Sequence, residues 1–536
     1  MSSEDPIPTG DDGRAARPDA PAGRDRLTAL PVLARGSLSS AVGQVIPLLV
    51  GLALTPIIVH RLGPDAFGVL SLGWTVLTLS AVFNLGLGRA TTKYAAAYLA
   101  SGDAARLPSL FWTSIILNVL VGLAGGVLMA AAAVWLLSFD LLKVSPALAS
   151  DAAWMFVWMS CALPFIFVTS TLRGMLEAGQ HFDEVNVARI VVNSSIFILP
   201  ALAVVFDVGL AGIGMLLLGT RVAETVVFWW LCSRRYPSLA WTRDADSIRT
   251  LLVFGGWLTV TNALLPLILN IDRFVIGSVC SIGAVGYYAV AADLVTRLTV
   301  LPSSLVLPLF PAFSALAGTG QTVRLRSLYA RSMKYVALGM APLVAIAVVC
   351  SRAFLQAWLG PAFAAQSTVV MQVLAVGVLV NSVAFLPYTL LQAAGRPDLT
   401  AKSHLAEAPI ALFATWYLTA SFGINGAAVA TGARVTLDLG LLVYATVRLG
   451  YLDWATLRAA RGPQAVALAA ALLVAALATL GVDGIIRQVS ILVLATALWG
   501  GGVWLFAIDA VERARLIAFA AHPAALFTRT RVDGGN

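Results

Sequence analysis

Long apolar runs separated by short polar loops dominate the pattern of this chain. A helix needs about 20 apolar residues to cross the hydrocarbon core of a bilayer. Several runs exceed that length, so we expect their helices to tilt or to extend into water. The pattern predicts an all-α integral membrane protein with about fourteen transmembrane helices. The predicted spans are 37–59, 67–89, 108–138, 152–172, 189–206, 209–233, 250–271, 283–315, 333–351, 366–393, 403–421, 425–447, 464–481 and 488–509.

Lysine and arginine residues fall almost entirely on one side of the predicted membrane. With the N-terminus placed inside, 27 of the 35 basic residues occupy inner loops and tails, and 5 occupy outer loops. Cytoplasmic loops of membrane proteins carry this excess. One miscounted helix would invert every later loop and destroy the asymmetry. The charges therefore support fourteen spans with both termini in the cytoplasm.

Composition excludes several broad classes of protein. Apolar residues make up 59% of the chain and charged residues 12%, against roughly 25% charged residues in an ordinary soluble protein. This excludes a soluble enzyme and a disordered protein. The net charge of +8 is scattered between apolar runs, so the sequence does not indicate a nucleic acid partner.

The sequence contains no recognisable catalytic or cofactor-binding motif. The four cysteines and four histidines are isolated along the chain, which predicts neither disulfides nor a metal site. None of the four lysines follows a glycine, so a phosphate-binding loop of the Walker A type is excluded. The outer loops are too short to hold a catalytic domain. We therefore expect no enzyme activity and no cofactor.

Weak self-similarity at a spacing of about 215 residues indicates an internal repeat. The segment 65–68 (Asp-Ala-Phe-Gly) resembles 283–286 (Gly-Ala-Val-Gly), and 176–179 resembles 391–395. Six helices per half is an even number, so both halves enter the membrane from the same side, with a substrate path between them. The predicted units are a disordered cytoplasmic tail (1–36), an N-lobe (37–233), a cytoplasmic linker (234–249), a C-lobe (250–447), two further helices (464–509) and a cytoplasmic tail (510–536).

Four short segments carry a resemblance to a known family. They are LGPDAFGVLSL (62–72), NLGLGRATTKYAA (84–96), LEAGQ (176–180) and LQAAGRPDL (391–399). With the fourteen-span plan, they resemble the polysaccharide-transporter family of oligosaccharide-lipid flippases, which includes the Wzx-type O-antigen flippases. Its superfamily also holds the lipid II flippase and the MATE drug exporters. The resemblance covers roughly residues 30–510.

The resemblance implies a fold, a substrate and a location. It implies two six-helix lobes around a central cavity in the bacterial cytoplasmic (inner) membrane. The expected activity is flipping of an undecaprenyl-(pyro)phosphate-linked oligosaccharide by alternating access, for export of a surface polysaccharide such as O-antigen or exopolysaccharide. The expected partners are membrane lipids and, further along the route, a polysaccharide polymerase and export machinery.

Ionisable side chains within the predicted spans are candidates for substrate binding, because burying them in a bilayer costs several kcal/mol. Arg297 lies in the eighth span with Asp293 one turn before it on the same face. An arginine fork suits a pyrophosphate because it donates bidentate hydrogen bonds and stays charged. We expect Arg297 to bind the head group with Asp293 as its acidic partner. The alternative is a pair that only ties two helices together.

Four further charged residues lie at span ends. Arg89 and Lys93 share a face at the inner end of the second span, where they either meet the pyrophosphate or extend to lipid phosphates. Asp272 and Arg273 end the seventh span on the outer side, where release would occur. Because adjacent helix residues point in different directions, we expect one of the two to face the cavity.

Amides, prolines and two charge pairs complete the candidates. The pairs Arg221–Glu224 and Arg434–Asp438 are expected to neutralise themselves and to serve packing within each lobe. The amides either contact sugar hydroxyls or form hydrogen bonds between helices, and the prolines bend helices as gating hinges. The amides are Gln44, Asn84, Asn262 and Asn270, and the prolines are Pro47, Pro56 and Pro266.

Two other functions remain open on the sequence. A cation-coupled multidrug exporter of the same superfamily would have an acidic cavity with few arginines. A membrane-embedded glycan polymerase or glycosyltransferase would need catalytic outer loops, and these are short. The sequence does not choose among a membrane potential, an ion gradient and downhill use of the substrate as the driving force.

Overall fold

A computed structural model describes residues 30–79, 86–237, 266–306 and 308–458, together with positions 241 and 501. Side chains are described from residue 45 onward, except that of Ala104. Within these ranges the regular structure is helical and no strand occurs, which confirms the predicted all-α class. Nine helical stretches there are long and apolar enough to cross a bilayer. The chain is therefore a multi-pass membrane protein.

Fourteen helices, some of them broken parts of one span, make up the described chain. Two 3₁₀ turns, Ala104–Arg106 and Arg297–Thr299, lie between them. The helices of the first half are α1 (Leu30–Leu79), α2 (Leu87–Ser101), α3 (Leu107–Ser138), α4 (Pro146–Cys161), α5 (Leu163–Ala178), α6 (Phe182–Val205) and α7 (Leu210–Arg235). Those of the second half are α8 (residues 266–279), α9 (Ile282–Thr296), α10 (Val300–Val306), α11 (Leu309–Gly318), α12 (Thr322–Leu359), α13 (Pro361–Ala393) and α14 (Pro397–Arg448).

Two of these helices each contain two predicted spans. α1 is interrupted at Gly63 (φ 73°, ψ 173°) and α14 at Gly423 (φ 61°, ψ −144°). Positive φ is readily available to glycine, which has no Cβ, so the chain reverses direction there without a loop. With α1 and α14 each counted as two spans, the described chain contains eleven of the predicted spans. It also contains the end of the seventh predicted span, 250–271. The spans 464–481 and 488–509 lie outside the described residues.

The boundaries of two predicted elements are wrong. The predicted inner loop before residue 333 is the start of α12, because Leu325, Tyr329 and Met333 form a buried stripe at helical spacing. The second span, predicted to run to Arg89, stops earlier. The left-handed backbone of Gly86 (φ 61°) separates it from α2, which begins at Leu87, and residues 80–85 lie outside the described chain.

The helices pack in two groups that meet through α1 and α9. α5 packs against α2, α3 and α7, and α1 packs against α4 and α6. In the second group α13 packs against α9, α11, α12 and α14. Polar side chains also join neighbouring helices, as in the 2.6 Å hydrogen bond from Asn118 Nδ2 to Thr171 Oγ1. The boundaries of the predicted lobes and linker stay a prediction, because residues 242–265 lie outside the described chain.

The two groups touch closely where the repeat-related segments begin. A Cβ on Gly68 would lie 1.9 Å from the Ile282 carbonyl oxygen, and one on Gly286 would lie 3.3 Å from the Gly68 nitrogen. Lys143 Nζ also donates a hydrogen bond to the Val279 carbonyl near the same end of the bundle. The segments that resemble each other in sequence therefore pack against each other.

Candidate substrate cavity

A cavity of about 1050 Å³ lies between the two groups of helices. Its walls come from α1, α5, α6, α7, α8, α9, α10, α13 and α14, and from the 3₁₀ turn after α9. Among the described lining residues six are arginines, none is a lysine and three are acidic, so the cavity carries an excess of positive charge. The arginines are Arg173, Arg189, Arg221, Arg273, Arg297 and Arg434, and the acids are Glu224, Asp272 and Asp293.

Arg297 lines this cavity without the acidic partner that its spacing predicted. The α-helix ends at Thr296 and Arg297 begins a 3₁₀ turn, while Asp293 forms an ion pair with Arg273 of α8. Within the described ranges no ion pair or hydrogen bond is made by the side chain of Arg297, or by that of Arg189. Two guanidinium groups on the cavity wall are therefore available to an anion.

Asp272 and Arg273 lie inside the bundle, which corrects the prediction that they end a span. Helix α8 continues to residue 279, and both residues line the cavity. Asp272 is buried and accepts a hydrogen bond from the Tyr288 hydroxyl. A charged side chain in a bilayer needs a partner or water. Here Asp272 has the Tyr288 hydroxyl and Arg273 has the Asp293 carboxylate.

Arg273 connects three helices at this point. Besides its ion pair with Asp293 on α9, its guanidinium donates to Thr75 Oγ1 at 3.1 Å and to Ser71 Oγ at 3.3 Å on α1. The side chain of Arg273 is 11% exposed. An enclosed guanidinium is stable only when its partners compensate its charge and hydrogen bonds. These contacts therefore hold α8 against α1 and α9 at the cavity wall.

Replacing Asp293 by asparagine is expected to destabilise the folded protein, because the enclosed Arg273 loses its anionic partner. Leaving such a group underpaired costs about 1–3 kcal/mol. The matched control is Asp103→Asn, because Asp103 is about as exposed as Asp293 (41% against 44%) but its partner Arg106 is 69% exposed. An exposed pair contributes about 0–1 kcal/mol. The unfolding temperature of each variant in detergent measures its loss of stability. Equal decreases for Asp293→Asn and Asp103→Asn would contradict the importance of the Arg273–Asp293 pair.

The two predicted charge pairs have different outcomes. Arg221 and Glu224 of α7 form the expected pair at 2.9 Å. Arg434 forms its ion pair with Glu407 instead, at 3.4 Å, and interacts with the predicted partner Asp438 only at longer range. The reversal at Gly423 brings the two arms of α14 together, and this places Glu407 within reach. Both arginines also line the cavity.

Arg89 and Lys93 lie outside the cavity lining. Both are exposed on α2, and Lys93 Nζ lies 5.3 Å from the centre of the Tyr94 ring. The left-handed backbone of Gly86 (φ 61°) starts α2 as a separate helix, which packs against α3 and α5. Their contact with substrate at the cytoplasmic mouth stays a prediction.

Among the candidate amides, the structure describes the surroundings of Asn270. This side chain lines the cavity and donates from Nδ2 to the Pro266 carbonyl at 2.8 Å. Its oxygen remains able to accept a hydrogen bond from a sugar hydroxyl. The side chain of Gln44, and both Asn84 and Asn262, lie outside the described part.

The candidate hinge prolines lie within helices. α1 continues through Pro47 and Pro56 as far as Gly63, so the sharp break follows both prolines. Pro47 lines the cavity, and the carbonyl of Pro56 is paired with His60 Nδ1 at 2.7 Å. Pro266 is the first described residue of α8. A hinge role for the three stays a prediction.

Sequence reasoning missed two cavity arginines that it had counted as loop charges. Arg173 lies near the end of α5 and Arg189 near the start of α6. Thr169 precedes the first by one turn and Asn193 follows the second by one turn, and all four line the cavity. A polar stripe at i, i+4 on an otherwise apolar helix was the signal that could have identified them.

Comparison with known proteins agrees with this geometry. The family described as "Polysaccharide biosynthesis protein" matches residues 33–317, more than half of the chain. A protein of Shigella flexneri named "Putative O-antigen transporter" is 24% identical over 415 residues, which cover 77% of this chain and 98% of the relative.

Solved structures of transporters share the fold. The lipid II flippase MurJ in an inward closed conformation has a TM-score of 0.65 at 11% identity, covering 87% of this chain and 97% of that one. An inward-facing MATE multidrug resistance transporter of the MOP superfamily has a TM-score of 0.63 at 16% identity, covering 77% and 98%. These relatives are transporters and flippases rather than enzymes. The predicted resemblance is confirmed, and the chain belongs to the polysaccharide biosynthesis protein family.

Proposed function

We propose that this protein is a flippase for an undecaprenyl-(pyro)phosphate-linked oligosaccharide. It moves the substrate from the cytoplasmic to the outer leaflet of a bacterial inner membrane, with both of its own termini in the cytoplasm. The observation that carries the proposal is the cavity with six arginines against three acids. The family and the name of the Shigella relative support a polysaccharide-related cargo. A polymerase and export machinery would then use the flipped product.

The side chains of the cavity suit an anionic head group. Arginine forks bind phosphate oxygens in pairs and remain charged at any physiological pH. The volume of about 1050 Å³ is at the upper end of the roughly 300–1000 Å³ of small-molecule pockets, which fits a head group of several sugars. A cationic drug would meet an excess of positive charge, so the multidrug-exporter alternative is disfavoured.

A second, apolar cavity lies beside the first and suits a lipid tail. It has a volume of about 560 Å³ between α6 and α7, and seven of its twelve lining residues are valine, alanine or leucine, with the acidic Asp183, Glu184 and Glu224 among the others. Glu224 lines both cavities, so they adjoin. The head group can therefore occupy a charged chamber while the polyprenyl chain stays in an apolar environment.

The position of the cavity supports alternating access. The lining runs along α5 from Ile166 to Arg173 and along α6 from Phe197 to Arg189. Of these residues, the two arginines lie nearest the ends that the charge distribution predicts to be cytoplasmic. The glycine contact between α1 and the start of α9 lies toward the opposite side of the membrane. We infer an inward-facing arrangement, closed outside by that contact, which must separate for release.

A reconstitution experiment tests the proposal. Purified protein in liposomes should speed the appearance, in the outer leaflet, of lipid-linked oligosaccharide labelled on its sugar, measured by access of a sugar-cleaving enzyme. Liposomes without protein and liposomes with the Arg297→Ala variant are the controls. Absence of flipping combined with transport of cationic dyes would contradict the proposal in favour of a drug exporter.

A further inference from the structure

Three potential metal ligands meet inside the second half of the protein, apart from the substrate cavity. His404 and Glu407 lie one turn apart on the first arm of α14, and Asp438 lies on the second arm. One ligand atom from each lies within 4.8 Å of the others. Glu407 is fully buried, Asp438 is buried, and the His404 side chain is 13% exposed.

The cluster contains buried polar atoms without hydrogen-bond partners. Glu407 Oε2, Asp438 Oδ1 and His404 Nε2 have none. The other ring nitrogen, His404 Nδ1, lies 3.1 Å from Glu407 Oε1. The same nitrogen lies 3.7 Å from Asp438 Oδ1, so His404 Nδ1 faces one oxygen of each carboxylate. Buried acceptors without donors carry a desolvation cost that a cation would remove.

The charge of the cluster also calls for a cation. Two carboxylates face one guanidinium, that of Arg434 at 3.4 Å from Glu407. With a neutral imidazole, one negative charge is left uncompensated. Tyr388 of α13 completes the surroundings, with its ring centre 6.2 Å from that of His404, and it adds no positive charge. A net charge buried at this depth is costly unless it is paired or coordinates a metal.

We propose that His404, Glu407 and Asp438 bind a divalent transition-metal ion of the zinc and manganese class. An imidazole nitrogen favours zinc-like ions, and carboxylates are compatible with zinc and manganese. Ligand atoms around one such ion lie roughly 3–4 Å apart, and His404 Nδ1 lies 3.1 Å from Glu407 Oε1 and 3.7 Å from Asp438 Oδ1.

The site adjoins the substrate cavity through one residue. Arg434 contacts Glu407 on one side and lines the cavity on the other. A metal ion that binds Glu407 competes with this guanidinium and releases it toward the cavity. The metal site itself does not depend on the proposed function, because it follows from the geometry of α14.

Metal binding by the full-length protein tests the proposal. The protein is purified in detergent with a tag that lacks histidine, stripped with a chelator, and titrated with Mn²⁺ or Zn²⁺. We expect about one high-affinity ion per chain, and at least about tenfold weaker binding in His404→Gln and Asp438→Asn. The matched control His181→Gln changes a histidine outside the cluster and should bind as the wild type does.

A spectroscopic measurement on the unaltered chain keeps the test independent of variant folding. Pulsed electron paramagnetic resonance of bound Mn²⁺ should show coupling to an imidazole nitrogen, and this signal should vanish in His404→Gln. The proposal would be overturned if neither ion binds, or if the variants bind as tightly as the wild type. It would also be overturned if the protein prefers Na⁺ or Mg²⁺ and bound Mn²⁺ shows no coupling to nitrogen. Flipping in reconstituted liposomes is measured separately, so loss of one activity is distinguishable from loss of the other.

Discussion

Replacing Arg297 by alanine is expected to reduce flipping of lipid-linked oligosaccharide about 10- to 100-fold. A hydrogen bond to a charged group contributes about 1.5–3 kcal/mol, and each 1.4 kcal/mol corresponds to about tenfold in binding. Within the described ranges Arg297 has no acidic partner, while Arg221, Arg273 and Arg434 are paired. Its charge is therefore available to the substrate, and its loss leaves Arg189 as the remaining cavity arginine without a partner in the described ranges.

Two further variants separate substrate binding from general damage. Arg297→Lys keeps the charge and loses the planar fork, so we expect an intermediate rate. Arg331→Ala removes an exposed arginine of α12 outside the cavity lining and should flip at the wild-type rate. Rates come from the liposome assay and from surface glycan in a strain lacking its own flippase. A wild-type rate for Arg297→Ala, with normal insertion, would remove this residue from the head-group site.

Replacing Gly68 by leucine is expected to abolish transport by preventing closure of the outer end. A Cβ at this position would lie 1.9 Å from the carbonyl oxygen of Ile282 and 2.9 Å from its carbon. The obstacle is backbone, so no side-chain rotation relieves it, and the start of α9 must move away. The variant should then favour arrangements in which the outer contact is open.

Accessibility of a cysteine at the contact measures this shift. In a chain whose four native cysteines are replaced, Ala284→Cys should react with a membrane-impermeant maleimide several times faster when Gly68→Leu is also present. Gly339→Leu in α12 is the control, because a Cβ there meets no atom within 4 Å. Unchanged labelling and unchanged flipping in Gly68→Leu would show that the contact is not a gate.

Local pattern was enough to predict most of the helices. Hydropathy located eleven spans, and the repeat between residues 65–68 and 283–286 marked two segments that meet. The extension of α12 was missed because a hydropathy window ignores periodicity. Leu325, Tyr329 and Met333 are spaced for one helix face, but charged residues lie between them, so the average over the window is low.

Spacing along one helix predicted the Arg221–Glu224 pair but not the partners of the other cavity arginines. The i, i+4 rule predicted Asp293 for Arg297 and Asp438 for Arg434. Asp293 instead pairs with Arg273, and Arg434 pairs with Glu407. A buried charge takes the nearest counter-charge that packing supplies, and the distance to another helix is not written in the local sequence. The same limit hid Glu407, which reaches Arg434 only because α14 reverses at Gly423.

The sequence by itself determined the class of protein and marked the small residues on which the two groups of helices approach, and it predicted the direction of the spans. Those properties depend on transfer of side chains into a bilayer and on residues close in the chain, so they can be derived from order and composition. Tertiary structure alone decided which arginines face the cavity unpaired, and that a histidine and two carboxylates from two arms of α14 form one cluster. Both depend on distances between segments far apart in sequence, which packing sets.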